Sequence, residues 1–128
     1  MSEIINQQQI RLEAPRLGIM LWRNQSGACY DESGRLIRYG LGNDSAQINK
    51  RLKSSDLIGI TPIKITHDMV GQTIGVFTAI EVKNNEWHGP RGDREKAQET
   101  FIELVKSFGG LAGFANSVNM FRRIINKK

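Results

Sequence analysis

The sequence has a single cysteine, two histidines and no hydrophobic run long enough to cross a bilayer. Cys29 cannot form an internal disulfide and has no second thiol for a metal cage, which fits a reducing compartment; its simplest role is a buried, small apolar side chain. His67 and His88 lie too far apart for the paired spacing of a zinc site. The N-terminus lacks a basic segment followed by an apolar one, so we expect neither secretion nor membrane insertion.

The composition is that of an ordinary folded protein with one hydrophobic core. With 39% hydrophobic and 24% charged residues, we expect a single domain over residues 1–128. The net charge of +5 favours a polyanionic partner. Two basic clusters contribute to it, and each could bind phosphates or equally be a solvated face. The first cluster is Lys50, Arg51 and Lys53, and the second is a C-terminal tail with Arg122, Arg123, Lys127 and Lys128.

Hydrophobic periodicity and turn residues predict an α/β protein. We predict a Gln-rich helix over residues 3–14 that Pro15 ends or kinks, then a strand and a hairpin between residues 18 and 34. Strands follow over residues 56–60, with 62–65 continuing at a sheet edge, and over 76–83. A helix over 94–108, a strand over 111–115 and a short helix ending near Ile125 complete the order. The strand, helix and strand from 76 to 115 predict a parallel pair, so we expect one mixed central sheet flanked by helices.

Glu81 and Lys83 are two residues apart on the strand predicted over 76–83, so their side chains project to one face. Phosphodiester hydrolysis needs a cation at the phosphate oxygens, an activated water and positive charge where negative charge develops. If the strand after Asp56 lies beside this one, Asp56, Glu81 and the main-chain carbonyl of Val82 can hold a magnesium ion, which takes oxygen ligands. Lys83 then orients the attacking water or neutralises charge at the phosphate. The alternative is a solvent-facing ion pair without a catalytic role.

Several blocks of the sequence, taken in order, resemble the virus-type replication-repair nuclease (VRR-NUC) domain of the PD-(D/E)xK nuclease superfamily. They are SSDLIG over residues 54–59, the stretch 76–83, Gln98, and Gly109-Gly110 with the strand after them. The resemblance extends over nearly the whole chain and looks most like the stand-alone phage or prophage members. Ser55 stands where the superfamily name has proline, at a position with no ligand role. The resemblance implies a PD-(D/E)xK nuclease-like α/β fold.

The resemblance also implies a role for each matched residue. Asp56 and Glu81 bind the metal, Lys83 is the catalytic lysine, and Gln98 supports the water or a phosphate. An acidic residue of the first helix helps to hold the metal; Glu3 matches better than Glu13, which abuts Pro15. The implied cofactor is Mg²⁺, with Mn²⁺ able to substitute.

The activity that the resemblance implies is structure-selective DNA cleavage, suited to four-way (Holliday) junctions. Because such a junction must be cut twice, we expect a symmetric homodimer, which has two active sites. The implied location is the cytoplasm of a bacterial host that carries the phage or prophage.

The loop after residues 76–83 contains Trp87 and Arg91, which could touch DNA by stacking or phosphate contact, or simply anchor the loop. Two other functions stay open. One is a non-catalytic DNA-binding module of the same fold, and the other is a nuclease with a different preference, for flaps or for a specific sequence.

Overall fold

A computed structural model describes residues 2–125 of the protein, which have mixed α/β structure. Its elements in chain order are α1 (Glu3–Arg16), β1 (Met20–Arg23), β2 (Gly27–Tyr30), β3 (Leu36–Tyr39), α2 (Ala46–Arg51), β4 (Leu57–Ile60), a 3-10 turn (His67–Met69), β5 (Thr78–Val82), α3 (Gly92–Ser107), β6 (Leu111–Ala115) and α4 (Val118–Ile125). The chain divides into two compact units, one up to Gly59 and one from Ile60 on. None of the helices within residues 2–125 combines the length and the apolar character needed to span a bilayer.

The first unit begins with α1, which the sequence predicted over residues 3–14. Ser2 caps it, because its hydroxyl accepts a hydrogen bond from the Ile5 N–H at 3.3 Å. Pro15 lies in the last turn and the helix ends at Arg16. After α1, β1 pairs with β4. Gly59 allows this pairing, since a Cβ there would collide with the Met20 carbonyl.

The predicted hairpin is confirmed as the antiparallel pair β2–β3, in which Tyr30 lies opposite Leu36. The Asp31 carboxylate forms the turn by accepting hydrogen bonds from the main-chain N–H groups of Ser33 and Arg35, at 3.0 and 2.8 Å. Cys29 was expected to be buried, and this was wrong: it is exposed. Its strand β2 belongs to a two-stranded sheet whose side chains are mostly exposed, so the thiol has little to pack against.

The structure differs from the sequence prediction in two further places. Lys50 and Arg51 form the last turn of α2, a helix that the sequence did not predict and that Ser45 caps through its hydroxyl. A strand was expected over residues 62–65, but these residues have no regular structure. Pro62 has no N–H to donate to a strand neighbour.

In the second unit, β5 and β6 are parallel and α3 connects them, as predicted. Ile102 and Val105 of α3 are buried, and so are Ala112 and Ala115 of β6. α4 lies against β6, where Gly113 leaves room for the Ile124 side chain. This unit therefore has a small sheet with packed helices, and its core lies between α3 and β6.

One mixed central sheet was predicted, but the described strands pair in three two-stranded sheets. The prediction set the strand after Asp56 beside residues 76–83, whereas β4 pairs with β1 and β5 pairs with β6. Hydrogen bonds just beyond the strands support the β1–β4 pair: the Asn24 N–H donates to the Asp56 carbonyl at 2.8 Å, and the Asn24 side-chain amide donates to the Ser55 carbonyl at 2.8 Å.

Candidate active site

The second unit brings together three of the residues that the sequence singled out. Glu81 and Lys83 lie on one face at the end of β5, and α3 places Gln98 against both. The Gln98 Nε2 donates to Glu81 Oε1 at 2.8 Å, while the Lys83 Nζ donates to Gln98 Oε1 at 2.7 Å. One amide thus orients a carboxylate and an ammonium at the same time, because its NH₂ group donates to the carboxylate and its oxygen accepts from the ammonium.

Glu95 is a fourth member of this cluster, and sequence reasoning missed it. Its Oε2 lies 2.7 Å from the Lys83 Nζ and accepts a hydrogen bond from the Trp87 indole N–H at 3.0 Å. Its Oε1 accepts from the Arg91 main-chain N–H at 2.8 Å. The only signal was its position three residues before Gln98, on the same face of a helix.

Hydrogen bonds within the cluster favour the ionised form of Glu95, and its charged side chains differ in their exposure to solvent. The hydrogen bond from Lys83 and then that from the Arg91 main chain hold the pKa of Glu95 below its ordinary value of 4.5, against the opposing effect of burial. The Lys83 side chain is 14% exposed and that of Glu95 is 19% exposed, whereas 40% of the Glu81 side chain is exposed. Lys83 therefore has its closest ion pair with Glu95, and Glu81 is the carboxylate that solvent can reach.

Val82 was predicted to contribute its main-chain carbonyl. The Phe77 carbonyl accepts from Leu111 N–H at 2.8 Å, and the Lys83 N–H donates to the Ala115 carbonyl at 2.9 Å. In a parallel ladder, alternate residues of a strand direct their main-chain N–H and C=O groups to the same neighbour. The main-chain groups of residues 77, 79, 81 and 83 therefore point to β6, and the Val82 carbonyl points to the opposite edge of β5. That carbonyl is next to Glu81 in the chain and is not used in the β5–β6 ladder.

A cavity of about 510 Å³ opens along the face of β5 that α3 covers. Its lining includes Ala79, Glu81, Gln98 and Arg94, the last of which sequence reasoning also missed. Arg94 lies in the first turn of α3 and is exposed. Since Arg94 of α3 and Glu81 of β5 line the same cavity, the guanidinium can pair with a phosphate bound there.

Asp56 and Glu3, the remaining predicted ligands, belong to the first unit. Both line a pocket of about 240 Å³, together with the amide side chains of Asn6 and Gln7. Glu13, the weaker alternative to Glu3, lies 3.5 Å from Arg16 in an exposed ion pair. The first helix thus places Glu3 near Asp56 in the same pocket.

The donor set suits a hard cation. On β5, the Glu81 carboxylate and the Val82 main-chain carbonyl are oxygen donors of the type that Mg²⁺ takes, and the Glu3 and Asp56 carboxylates of the first unit are of the same type. Across residues 2–125 no three His, Cys, Asp or Glu side chains form a group able to hold a metal ion. A magnesium site of one or two carboxylates completed by water and substrate phosphate is smaller than such a group.

The loop after β5 has a structural role in the fold. The Trp87 ring packs against Phe114, with centroids 4.9 Å apart and planes at 35°, and its indole N–H bonds to Glu95. This contact is the loop anchor considered above. Arg91 is exposed at the N-cap of α3.

The first basic cluster lies on the surface of the first unit. Lys50, Arg51 and Lys53 are exposed, and the Lys53 Nζ donates to Asn49 Oδ1 at 2.8 Å. Of the second basic cluster, Lys127 and Lys128 lie outside the described residues.

Together, the residues of β5 and α3 can present one accessible carboxylate and one amide to a ligand in the adjoining cavity, and the amide holds the Lys83 ammonium beside them. Such a set can bind a cation through Glu81 and stabilise an anion through Lys83. Comparisons with protein-family models, with curated proteins and with solved structures find no match for this chain.

Proposed function

We propose that this protein is a divalent-metal-dependent endonuclease that hydrolyses phosphodiester bonds in DNA. The observation that supports the proposal most is the cluster on β5 and α3, in which Gln98 is hydrogen-bonded to both Glu81 and Lys83, and Glu81 and Gln98 line a cavity. When bound, Mg²⁺ or Mn²⁺ supplies positive charge at the phosphate oxygens and activates water. The protein supplies the positions of the groups around it.

Each residue of the cluster has a defined task in this proposal. Glu81 holds the cation with the more exposed of the two carboxylates in the cluster, and the neighbouring Val82 carbonyl is free of the β5–β6 ladder to assist. Lys83 stabilises the negative charge that develops on the phosphate. Gln98 fixes both side chains, while Arg94 binds a phosphate across the cavity.

Asp56 and Glu3 enter the proposal through the resemblance, which assigns them metal-binding roles. Their shared pocket in the first unit supports grouping Glu3, rather than Glu13, with Asp56. The PD-(D/E)xK fold belongs to the same proposal.

The proposed substrate is branched DNA, with four-way junctions cut by a homodimer. The net charge of +5 supports a nucleic acid partner in general. The exposed basic cluster of Lys50, Arg51 and Lys53 offers phosphate contacts, and so does Arg91 at the start of α3.

Cleavage assays with matched substrates test the proposal. Four-way junction, flap, splayed and linear DNA are each incubated with magnesium, with manganese or with a chelator. We expect metal-dependent cutting, fastest on the junction. DNA binding that weakens with salt but gives no product in either metal would instead identify a non-catalytic binding module. Faster cutting of flap or linear DNA would keep the nuclease and reject the junction preference.

Substitutions at the cluster test the assignment of the site. Glu81→Ala and Lys83→Ala are expected to abolish cleavage while the protein stays folded and bound to DNA. Glu99→Ala is the control, because Glu99 is an exposed acid on α3, one residue after Gln98. Cleavage by Glu81→Ala at the rate of the parent would show that the site lies elsewhere.

A further inference from the structure

Two carboxylates, Glu81 and Glu95, lie within 4 Å of the Lys83 Nζ, but the distances show that the ammonium is paired with only one of them. Its Nζ lies 2.7 Å from Glu95 and 3.9 Å from Glu81. The first distance is a hydrogen-bonded ion pair, and the second is too long for a hydrogen bond. The ammonium is therefore on the side of Glu95, although Glu81 projects from the same face of the same strand.

Glu95 is well fixed for this task. The Trp87 indole N–H and the Arg91 main-chain N–H hold its two oxygens, so the carboxylate does not depend on Lys83 for its position. The Trp87 ring is itself packed on Phe114. These contacts, with the lowered pKa of Glu95, keep it an ionised and oriented partner for Lys83.

We propose that Glu95 is a positioning residue that keeps the Lys83 ammonium away from Glu81, so that the Glu81 carboxylate stays free for a divalent cation. This inference rests on the proposed function, in which Glu81 is a metal ligand. It assigns to α3 a second task besides the one that Gln98 performs. Glu95 itself touches neither the metal nor the substrate.

The reasoning is one of competition for a carboxylate. Lys83 is only 14% exposed, and a largely buried ammonium needs a counter-ion. Without the charge at position 95, Glu81 is the other carboxylate within 4 Å of the Nζ, and the flexible lysine stem can close the remaining gap. An ammonium seated on Glu81 then competes with the cation. Losing a residue that supports a metal ligand typically weakens metal affinity by about 10- to 100-fold.

The first test needs neither metal nor DNA. The ¹⁵Nζ–¹H signal of the Lys83 ammonium is observed by NMR in the parent and in Glu95→Gln, with Glu99→Gln as the matched control on the exposed side of α3. We expect the signal to shift in Glu95→Gln and to remain protected from exchange, because the ammonium now pairs with Glu81. Adding Glu81→Gln should then shift the signal again and weaken that protection, because both carboxylates are gone and the Gln98 oxygen is the acceptor left from the parent cluster. A Lys83 signal in Glu95→Gln that is unchanged from the parent, or unaffected by adding Glu81→Gln, would overturn the inference.

The second test measures the consequence for the metal. Mn²⁺ binding is followed by calorimetry on the intact protein, and cleavage is followed across a manganese titration. We expect Glu95→Gln to bind Mn²⁺ about 10-fold more weakly or worse, to need correspondingly more Mn²⁺ for half-maximal cleavage, and to recover at saturating metal. Glu95→Asp should recover part of the affinity. Equal Mn²⁺ affinities for Glu95→Gln and Glu99→Gln would refute the role.

The two proposals fail in different ways. If the parent cleaves no DNA in manganese, the nuclease proposal fails, and the NMR and calorimetric comparisons still decide the role of Glu95. If the parent cleaves and Glu95→Gln keeps the parent's manganese dependence, the nuclease stands and the role of Glu95 is rejected. Loss of the Trp87 indole signal in Glu95→Gln would reveal a disturbed fold; Glu95→Asp, which keeps the charge, then decides by whether it restores the affinity.

Discussion

Replacing Gln98 by leucine removes the amide that joins Glu81 to Lys83 and keeps a side chain of similar size. Both lost hydrogen bonds have charged partners, at 2.8 and 2.7 Å. The substitution alters no main-chain group of β5 or α3. It therefore isolates the contribution of the amide to the cluster.

The magnitude follows from exposure. A hydrogen bond to a charged group contributes about 1.5–3 kcal/mol when it is buried. Lys83 is 14% exposed but retains Glu95, and Glu81 is 40% exposed, so water replaces much of what the carboxylate loses. We expect Gln98→Leu to lower the free energy of unfolding by about 2 kcal/mol. Cleavage should fall by about 10- to 100-fold, the usual effect of losing a group that orients a metal ligand.

Urea denaturation followed by Trp87 fluorescence measures the first effect, in a Trp22→Phe background so that the signal comes from the second unit. Junction cleavage in manganese measures the second. The control is Gln8→Leu, the same chemical change on an exposed position of α1. Unchanged unfolding together with unchanged cleavage would refute the structural account of Gln98.

Two further predictions concern stability. Val105 is 0% exposed, so Val105→Ala should destabilise the protein by about 2–3 kcal/mol in urea titrations, from lost burial and a cavity; a loss below about 0.5 kcal/mol would contradict its place in the core. The folded pKa of Glu95 lies below 4.5, so its contribution to stability is present above that pH and is lost as the pH falls through the folded value. Glu95→Gln should therefore lose less stability on acidification than the parent, as measured by denaturation at neutral and at acidic pH.

Local signals predicted many of the individual elements. The β-branched run over residues 76–83 became β5, the apolar segment after Gly109-Gly110 became β6, and the short last helix became α4, which ends at Ile125. The Ser117 hydroxyl accepts a hydrogen bond from the Met120 N–H at the start of α4. Helix α2 was missed because it has only six residues, and its one clear signal was Ser45 at the N-cap. Short elements give little periodicity to read.

Sheet pairing was the weakest part of the prediction. The strand after Asp56 was set beside residues 76–83, but β4 pairs with β1. The choice of partner depends on contacts such as those of Asn24 with Ser54 and Ser55, which join residues 30 and 31 positions apart. Sequence patterns describe which face of a strand is apolar and leave its neighbour open.

The candidate site shows the same division between local and long-range information. The sequence by itself determined that Glu81 and Lys83 share a face, because side chains two apart on a strand point the same way. Only the tertiary structure decided that α3 lies over that face and joins Gln98 and Glu95 to the pair. Strand alternation is a property of the backbone alone, whereas the meeting of a strand and a helix depends on how their side chains pack. The choice of Lys83 between two carboxylates therefore appeared only in the folded protein.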